Sequence, residues 1–464
     1  MCDDLGLNGM LDVPVHETEN GGCGSSCAKN QGCGGENLCG GDGASLRSNT
    51  GCRGESTQNG ACRSNNENGG VSSSQACSKC KEMEAVASIR QNERVCAECL
   101  FEAVRAKFRY ALKTKGVINR GDRVLVPATG DSATQALLDL LLVHRNPDDS
   151  RPVRGKVNFA LGVVWVDASC LDERENITQY RSPLERVRSG VESVMEMHGC
   201  GNVDFVRIPL EDIALDTGHE TGPRLKQVLD GVSDQTGKED FIKHLKRRLI
   251  IQYAESNSFN KIASADSATS IAIHLIGSSA KARGFDLPGD IHYHDARLGA
   301  GNPVEIRPLR DLFSKELGVY CHFRNIPTCS SLRGLSEKSE KKSINDLAEN
   351  FVLGLQSAFP SGLSSILRTG SKLQSFEFNR DHPVGGTHES DIEPSRLCRL
   401  CYAPMPSEMV NLGKDVEEMA SCWKEKFCFC CLTQIVLKYR GSGSGDISGL
   451  EEFRSFLEII GIVV

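Results

Sequence analysis

The sequence predicts an α/β protein built on a doubly wound parallel sheet, with a cysteine-rich module before the sheet and another after it. Between residues 116 and 335, apolar β-type runs alternate with helical patterns, which is typical of a parallel sheet. Two C-x2-C motifs precede this region and two follow it, at a spacing typical of small metal-binding modules. These two observations together predict the fold class.

Apolar runs and capping signals place the elements of the sheet region. Residues 124–128 form the first predicted strand, and residues 133–144 the helix that follows it. The run 157–166 is long and rich in β-branched residues, which favours a buried strand. Ser182, Pro183 and Glu185 predict a helix start, because serine caps, proline suits the first turn and glutamate completes a capping box. The remaining predicted elements are a strand at 204–210 and helices near 240–254, 266–282, 344–358 and 451–459.

The composition limits the class of protein. The 464 residues carry a net charge of −7, which argues against a basic coat over the whole surface but allows a local basic face. The first residues have neither the basic nor the apolar segment of a signal peptide, and no apolar run approaches the ~18 residues that span a bilayer. We therefore expect a cytoplasmic protein without a membrane role, whose 21 cysteines are thiols or metal ligands.

Composition also divides the chain into segments. The first 70 residues hold 16 of the 46 glycines and seven cysteines, with too few apolar residues to offset the entropy of ordering them. A charge run at 336–343 has no apolar face and predicts a loop or linker. The predicted segments are a disordered Gly/Cys-rich leader (1–75), a metal module with a basic helix (76–115), the α/β core (116–335), a linker and helical segment (336–395) and a C-terminal Cys-rich module with a helix (396–464).

Two sets of four cysteines have the spacing of zinc ligands. Each set contains two C-x2-C turns, and two such turns supply the four thiolates that tetrahedral Zn²⁺ prefers. Four sulfur ligands leave no open coordination position, so each zinc would be structural. Buried thiols or an iron–sulfur cluster are the alternatives, and Cys422 and Cys430 are surplus in the second set. The predicted ligands are Cys77, Cys80, Cys96 and Cys99, and then Cys398, Cys401, Cys428 and Cys431.

A polar turn follows the first predicted strand, at the place where α/β proteins bind phosphate groups. Backbone N–H groups and the dipole of the next helix converge at such a turn. The candidate cofactor-binding residues are Thr129, Gly130, Asp131, Ser132, Ala133 and Thr134.

This turn resembles the pyrophosphate loop of the PP-loop ATP-pyrophosphatase superfamily, whose pattern is S-G-G-x-D-S. In a residue-by-residue match, Thr129 stands at the first serine, Asp131 at the second glycine and Ala133 at the aspartate. The carboxylate of Asp131 would repel a pyrophosphate, and Ala133 lacks the acidic group of intact loops. The favoured interpretation is a capped loop without a ligand, which argues against ATP binding by this chain.

The order of motifs over residues 77–464 resembles the cytoplasmic tRNA 2-thiolation protein 2 family. The motifs are the paired cysteines, Phe101 with the run 107–109, the altered loop, the segments 264–269 (SADSAT) and 306–310 (IRPLR), and the Cys-rich tail. The resemblance implies a heterodimer with a catalytic PP-loop homologue, tRNA 2-thiolation protein 1. It also implies that the pair transfers sulfur from a thiocarboxylated ubiquitin-related modifier to the wobble uridine of tRNAs for Lys, Glu and Gln.

No catalytic residue is predicted in this chain. Between the two modules, Cys170, Cys200, Cys321 and Cys329 form no C-x-x-C pair, and lone cysteines are usually small buried hydrophobes. The favoured hypothesis is a non-catalytic, tRNA-binding subunit of the thiolation complex. Two alternatives remain open, an active ATP-dependent tRNA sulfurtransferase and a zinc-ribbon scaffold that binds only proteins.

Clusters of cations are the candidate RNA contacts of this acidic chain. Phe101, Val104 and Phe108 predict the inward stripe of a helix after Cys99, whose other faces are basic. A second basic helix is predicted near 241–251. A tRNA backbone would complement such clusters, and a solvated face with ordinary ion pairs is the alternative. The predicted RNA-binding residues are Arg105, Lys107, Arg109, Lys113, Arg307 and Arg310.

Overall fold

The structure is a computed structural model that describes most of the chain after residue 75. The described residues are 76–89, 93–146, 150–151, 153–171, 182–199, 203–214, 221–284, 286–299, 301–329, 342–373, 397–405, 423–439 and 448–462. The predicted leader, 1–75, lies outside them, as do residues 336–341 of the predicted linker. Across the described ranges, no helix has the length and apolar character needed to cross a membrane.

A six-stranded sheet lies at the centre, after a small antiparallel hairpin of β1 (Ala87–Ile89) and β2 (Glu93–Val95). The strands of the large sheet are β3 (Arg123–Pro127), β4 (Ala160–Asp167), β5 (Phe205–Pro209), β6 (Lys261–Ala263), β7 (His294–Asp295) and β8 (Val304–Ile306). Their order is β5-β4-β3-β6-β8-β7, and all neighbours are parallel except β7, which pairs antiparallel with β8. The predicted parallel sheet is confirmed, with one short antiparallel edge strand.

Helices cover both faces of this sheet. They are α1 (Ala97–Lys113), α2 (Ser132–His144), α3 (Pro183–Met197), α4 (Thr221–Gly231), α5 (Gln235–Ser256), α6 (Ala268–Ala280), α7 (Leu287–Ile291), α8 (Ser314–Phe323), α9 (Ile344–Ala358), α10 (Pro360–Gly370), α11 (Phe429–Gln434) and α12 (Ser448–Ile459).

Alternation along the strands divides the interior into two main cores. Val124 and Val126 face the first core, which they share with α1, α2, α3 and α8. Leu125 and Val164 face the second core, which they share with α4, α5, α11 and α12. Successive side chains of a strand point to opposite faces, so a strand of apolar residues needs a cover on each side. This arrangement is the doubly wound sheet that the sequence predicts.

Most predicted elements are found within a few residues of their expected bounds. The capping box of α3 is present, since Ser182 Oγ accepts from Glu185 N and Glu185 Oε2 accepts from Ser182 N. Strand β4 begins three residues later than predicted, because Val157 instead bridges to Arg145 at the end of α2. Helix α5 begins five residues earlier than predicted, because the side chain of Asp234 caps it.

Candidate functional site

The crevice between β3 and β6 is the place where a doubly wound sheet binds ligands. From β3 the chain builds outward through β4 to β5, and it then crosses back to β6 on the other side of β3. The loops that follow β3 and β6 therefore diverge at the carboxyl edge of two adjacent strands, which opens a crevice there. The predicted phosphate-binding turn, residues 129–134, is the first of these loops.

The chain's own side chains occupy the N-terminus of α2 in this loop. Asp131 is the N-cap, and its Oδ1 accepts a hydrogen bond of 2.8 Å from Thr134 N. The hydroxyl groups of Thr129 and Thr134 lie 2.7 Å apart and close the loop across its base. A carboxylate therefore already takes the position, beside free N–H groups and a positive helix dipole, that a bound phosphate needs.

Gly130 is covered by Val187 and Cys329, which come from two other parts of the chain. Its φ of +79° is a left-handed conformation, and a Cβ placed there would lie 3.1 Å from Val187 Cγ2 and 3.4 Å from Cys329 Cβ. The backbone N–H of Cys329 donates to Gly130 O at 2.7 Å. The backbone that would approach a pyrophosphate in an intact loop is thus in contact with protein.

Two thiols lie beside this loop, which the sequence analysis did not predict. Cys321 Sγ donates to Ser132 O at 3.3 Å, and Cys329 contacts Gly130 as described. Burial, reinforced by the negative charges of Asp139 and Asp131, raises the pKa of Cys321 to about 12. Burial also raises the pKa of Cys329. Both groups are therefore protonated thiols at neutral pH, in the state in which they are poor nucleophiles.

The loop after β6 repeats the pattern of an internally capped helix. Ser264 Oγ donates to Asp266 Oδ2 at 2.7 Å, and Ser267 Oγ accepts from Ser270 N at the start of α6. Asp266 also lies 3.5 Å from the Nε of Arg307, which follows β8. The motif 264–269 thus holds the carboxyl edge of the sheet together.

The predicted RNA contact Arg307 lies in the interior. Its side chain is only 3% exposed, and its guanidinium donates to the carbonyl oxygens of Gly289 and His292. Arg310 is half-buried, donates to Ser371 Oγ at 2.8 Å and lies over the ring of Tyr293. Because Arg307 is buried, the structure places its guanidinium in the interior and not on a surface that RNA could reach.

The predicted cations of α1 divide into an internal and an external group. Lys107 Nζ lies 2.9 Å from Glu316 Oε1, and since Glu316 is 4% exposed this pair fastens α1 to α8. Arg105 and Arg109 each lie 3.4 Å from the exposed carboxylate of Glu102. Lys113 is exposed and forms no ion pair with any residue that the structure describes.

One further cation belongs to this basic face. Burial lowers the pKa of His144, and the positive charges of Arg109, Arg105 and Lys156 lower it further. Lys156 is exposed and precedes Val157, whose N–H donates to His144 O, and the His144 ring lies 5.2 Å from the ring of Phe108 on α1. A lone lysine between predicted elements gave the sequence analysis no signal, because its neighbours come from α1, about 50 residues earlier in the chain.

The second predicted basic helix, now part of α5, is used inside the protein. Arg247 donates to Cys401 O at 3.1 Å and lies 2.8 Å from Glu305 Oε2. Arg248 donates to Arg399 O and to the hydroxyl of Tyr402. These two arginines attach the C-terminal Cys module to α5 and to the sheet edge, so they do not extend the basic face.

The predicted metal ligands meet in two groups of four. In each group the sulfur atoms all lie within 4.8 Å of one another. Cys80 Sγ lies 3.8 Å from Cys96 Sγ, and Cys401 Sγ lies 3.6 Å from Cys428 Sγ. Four sulfurs at ~2.3 Å from one tetrahedral ion are about 3.8 Å apart. The spacing therefore fits a single ion held by each group.

Both groups are built on the same turn. The N–H of Lys81 donates to Cys77 O at 2.9 Å, and the N–H of Tyr402 donates to Cys398 O at 2.9 Å. Lys81 and Tyr402 both have the left-handed φ, near +60°, that ends this turn. Although burial opposes it, backbone N–H groups of Cys80 and Cys96 lower the pKa of Cys77 to about 6. Such N–H donors favour thiolates, the form that binds metal.

The second group is the more deeply enclosed of the two. Cys398, Cys401, Cys428 and Cys431 are all buried in the second core. Although burial opposes it, the negative charges of Asp286 and of three of these cysteines hold the pKa of Arg283 well above its ordinary value. Arg283 therefore supplies positive charge beside the sulfurs. The surplus Cys430 donates to Gln434 and is not part of the group, whereas Cys422 lies outside the described residues.

Comparison with known proteins agrees with this architecture. A family model described as cytoplasmic tRNA 2-thiolation protein 2 matches residues 343–422. A protein of that name from Oryza sativa subsp. indica is 28% identical over 401 residues, covering 79% of this chain and 82% of its own. One from Homo sapiens is 28% identical over 380 residues, covering 70% and 72%.

A solved structure shares the fold. The U34-tRNA thiolase NcsA from Methanococcus maripaludis, solved with its 4Fe-4S cluster, superposes with a TM-score of 0.51 at 13% sequence identity. The match covers 73% of this chain and 98% of that one. The α/β fold with a mostly parallel sheet that the sequence predicts is thereby confirmed.

Proposed function

We propose, from the premise that this chain belongs to the cytoplasmic tRNA 2-thiolation protein 2 family, that it is a non-catalytic, tRNA-binding subunit of a wobble-uridine thiolation complex. A role in tRNA 2-thiolation follows from the family and from the thiolase-like fold. The cytoplasm is its place of action, as the names of its relatives state.

The position of the Asp131 carboxylate, which caps α2 inside the loop, is the observation that supports a non-catalytic role. Adenylation of a uridine by ATP releases pyrophosphate, and a PP-loop accommodates that group on backbone N–H donors beside a helix N-terminus. Here Asp131 accepts from Thr134 N, and Cys329 with Val187 covers Gly130. The negative charge and the cover both oppose a triphosphate.

One observation favours the alternative, an active sulfurtransferase. Cys321 and Cys329 lie beside the loop, where a sulfur-transferring thiol would be useful. Their raised pKa values weigh against it, because a thiol must ionise to attack or to accept sulfur. The non-catalytic role therefore remains the proposal.

The chemistry that this chain lacks then belongs to a partner. The proposed partner is the catalytic homologue tRNA 2-thiolation protein 1, in a heterodimer. The proposed sulfur donor is a thiocarboxylated ubiquitin-related modifier, which acts through that partner, and the proposed substrates are the tRNAs for Lys, Glu and Gln.

The proposed RNA surface is the outer face of α1. It comprises Arg105, Arg109, Lys113 and Lys156, whose exposed or half-exposed cations stand out in a chain of net charge −7. Phosphate contacts of this kind contribute affinity through release of counterions, and they position RNA without reading its sequence. The alternative of a scaffold without RNA contact predicts that neutralising this face has no effect on tRNA binding.

Zinc is the proposed occupant of both Cys groups. The sulfur spacing supports one ion in each, and four thiolates suit Zn²⁺. Each ion would hold its two knuckle turns together, and the second would also fix residues 397–405 and 423–439 on α5. Bound zinc would act only in folding, because four protein ligands leave no position for a substrate.

Calorimetric titration with ATP·Mg²⁺ tests the non-catalytic role. The parent chain is expected to release no binding heat at ATP concentrations up to the millimolar range. Saturable binding by the parent chain that Gly130→Trp abolishes would place ATP in the loop and contradict the proposal. Co-purification of the full chain from cells, with identification of the bound protein and RNA, tests the partner and the substrate class.

A further inference from the structure

Tyr110 is an exposed aromatic residue in the middle of the basic face of α1. Its side chain is 47% exposed, whereas the inward stripe of the same helix, which includes Phe101 and Phe108, is buried. The phenol hydroxyl of Tyr110 forms no hydrogen bond with the residues that the structure describes. Neither packing in a core nor a polar contact within the described chain accounts for this ring.

Two exposed cations flank Tyr110 on its own helix. Arg109 and Lys113 are exposed on the same helix, one residue before it and three residues after it. Two further cations lie over another tyrosine, since Lys115 Nζ is 5.7 Å and Arg310 Cζ 5.2 Å from the ring centroid of Tyr293.

The two tyrosines are neighbours. Burial raises the pKa of Tyr293, and the phenol group of Tyr110 is close enough to raise it further. The exposed ring of Tyr110 therefore lies on the part of α1 that carries the exposed cations Arg109 and Lys113.

This combination is the one by which proteins hold unpaired nucleotides. Bases that are not in a helix stack on aromatic side chains, while arginine and lysine neutralise the phosphates on either side. The core of a protein interface is instead depleted of charged residues, lysine among them. The helix neighbours of Tyr110 are charged, so the surroundings favour RNA.

We infer that Tyr110 is a stacking platform for one unpaired base of the tRNA, with Arg109 and Lys113 on the adjoining phosphates. The inference rests on the proposed tRNA-binding role and adds to it a contact that does not depend on charge. It predicts that this surface prefers RNA with unpaired nucleotides over a continuous duplex.

Binding of two RNAs to the full-length chain, with its partner where purification requires it, tests the inference. One RNA is an unmodified tRNA transcript, and the other is a blunt RNA duplex with the same number of phosphates. Tyr110→Ala is expected to weaken tRNA binding by about 5- to 150-fold and duplex binding by less than about two-fold. Tyr110→Phe keeps the ring and is expected to bind tRNA like the parent chain.

Salt dependence separates stacking from charge. Tyr110→Ala is expected to leave the slope of log affinity against log salt unchanged, whereas Lys113→Ala reduces it by about 0.7–0.9. Phe359→Ala, which removes another exposed aromatic ring, is the matched control and is expected to leave affinity unchanged.

Each result decides between the inference and the proposal beneath it. If the parent chain binds tRNA and Tyr110→Ala binds it equally well, the stacking role is wrong and the tRNA-binding role stands. Equal losses on tRNA and duplex, or a change in salt slope, would also overturn stacking. If the parent chain binds neither RNA at low salt, the tRNA-binding role itself fails. If Tyr110→Ala loses a protein partner but still binds tRNA, Tyr110 belongs to a protein interface.

Discussion

Asp139 joins three helices from a fully buried position in α2, so its removal is a sensitive test of how the first core is held together. Its Oδ1 lies 2.8 Å from His198 Nε2 and 2.6 Å from an amino group of Arg324, and its Oδ2 accepts from the hydroxyl of Tyr320. We consider the substitution Asp139→Asn, which keeps the size of the side chain. Asparagine has one acceptor oxygen where three donors converge, and it leaves the guanidinium of Arg324 without its counter-charge.

The expected loss is large because the carboxylate is fully buried, while the side chain of Arg324 is 21% exposed. Removing one partner of a buried charge pair costs about 3–5 kcal/mol of folding free energy. Glu102→Gln is the matched control, since Glu102 also pairs with two arginines but is 62% exposed. An exposed pair of this kind contributes less than ~1 kcal/mol.

Fluorescence can follow this core specifically. The chain has two tryptophans, of which Trp165 lies in the first core and Trp423 in the second. In a Trp423→Phe background, urea unfolding followed through Trp165 is expected to show a much lower midpoint for Asp139→Asn than for Glu102→Gln. Equal midpoints for the two variants would refute the reasoning that burial makes this carboxylate important.

The same comparison has a defined dependence on pH. Burial alone would raise the pKa of Asp139, but the hydrogen bonds from His198, Tyr320 and Arg324 lower it below its ordinary value of 3.8. A carboxylate with a lowered pKa stabilises the folded state fully above its unfolded pKa and loses this contribution as pH falls through the folded one. The difference between parent and Asp139→Asn is therefore expected to be constant at neutral pH and to shrink below pH ~4.

Two further predictions concern the metal sites and the seat of the C-terminal module. Metal analysis of chelator-free, reduced protein is expected to give two zinc ions per parent chain and one zinc ion per chain for either Cys80→Ser or Cys401→Ser. Of the two variants, Cys401→Ser is expected to lose more stability, because its group is buried in the second core. Iron in the parent chain, or metal near zero, would contradict this. Gly237→Ala places a Cβ 2.2 Å from Gln434 O and is expected to lower the free energy of unfolding in urea by about 1–3 kcal/mol. The control is Gly354→Ala, which lies in open space on α9 and is expected to cost nothing. Similar midpoints for the two variants would show that α11 does not pack against α5 in this way.

Local patterns predicted the parts of the molecule that depend on residues close in sequence. Short segments of the sequence contain the signals for three features: the capping box at Ser182, the buried stripe from Phe101 to Phe108, and the C-x2-C pairs. The structure contains each of them. The altered loop was also predictable as a capped turn, because Asp131 stands directly before α2. Strand β6 was not predictable, since three residues are too few to show a period.

The rest depends on contacts between distant parts of the chain. Cys321 meets the loop at Ser132 because α8 packs against α2, some 190 residues away in sequence, and Cys329, just beyond α8, meets it at Gly130. Arg307 has the same sequence signature whether it faces solvent or the interior. Its burial follows from carboxylates and carbonyls that the sheet edge and α7 bring to it.

The composition of the second core has a consequence for synthesis on the ribosome. Helix α5 ends at Ser256, but several of its apolar contacts come from residues 398–462, and Phe453 alone lies about 200 residues further on. At roughly 5–20 residues per second, an emerging chain waits some 10–40 s before the cover for α5 leaves the exit tunnel. During that interval the apolar side of α5 is exposed to chaperones and to other nascent chains. Emergence of residues 398–462, with their buried cysteines, is thus the step that covers the apolar side of α5 and protects it from aggregation.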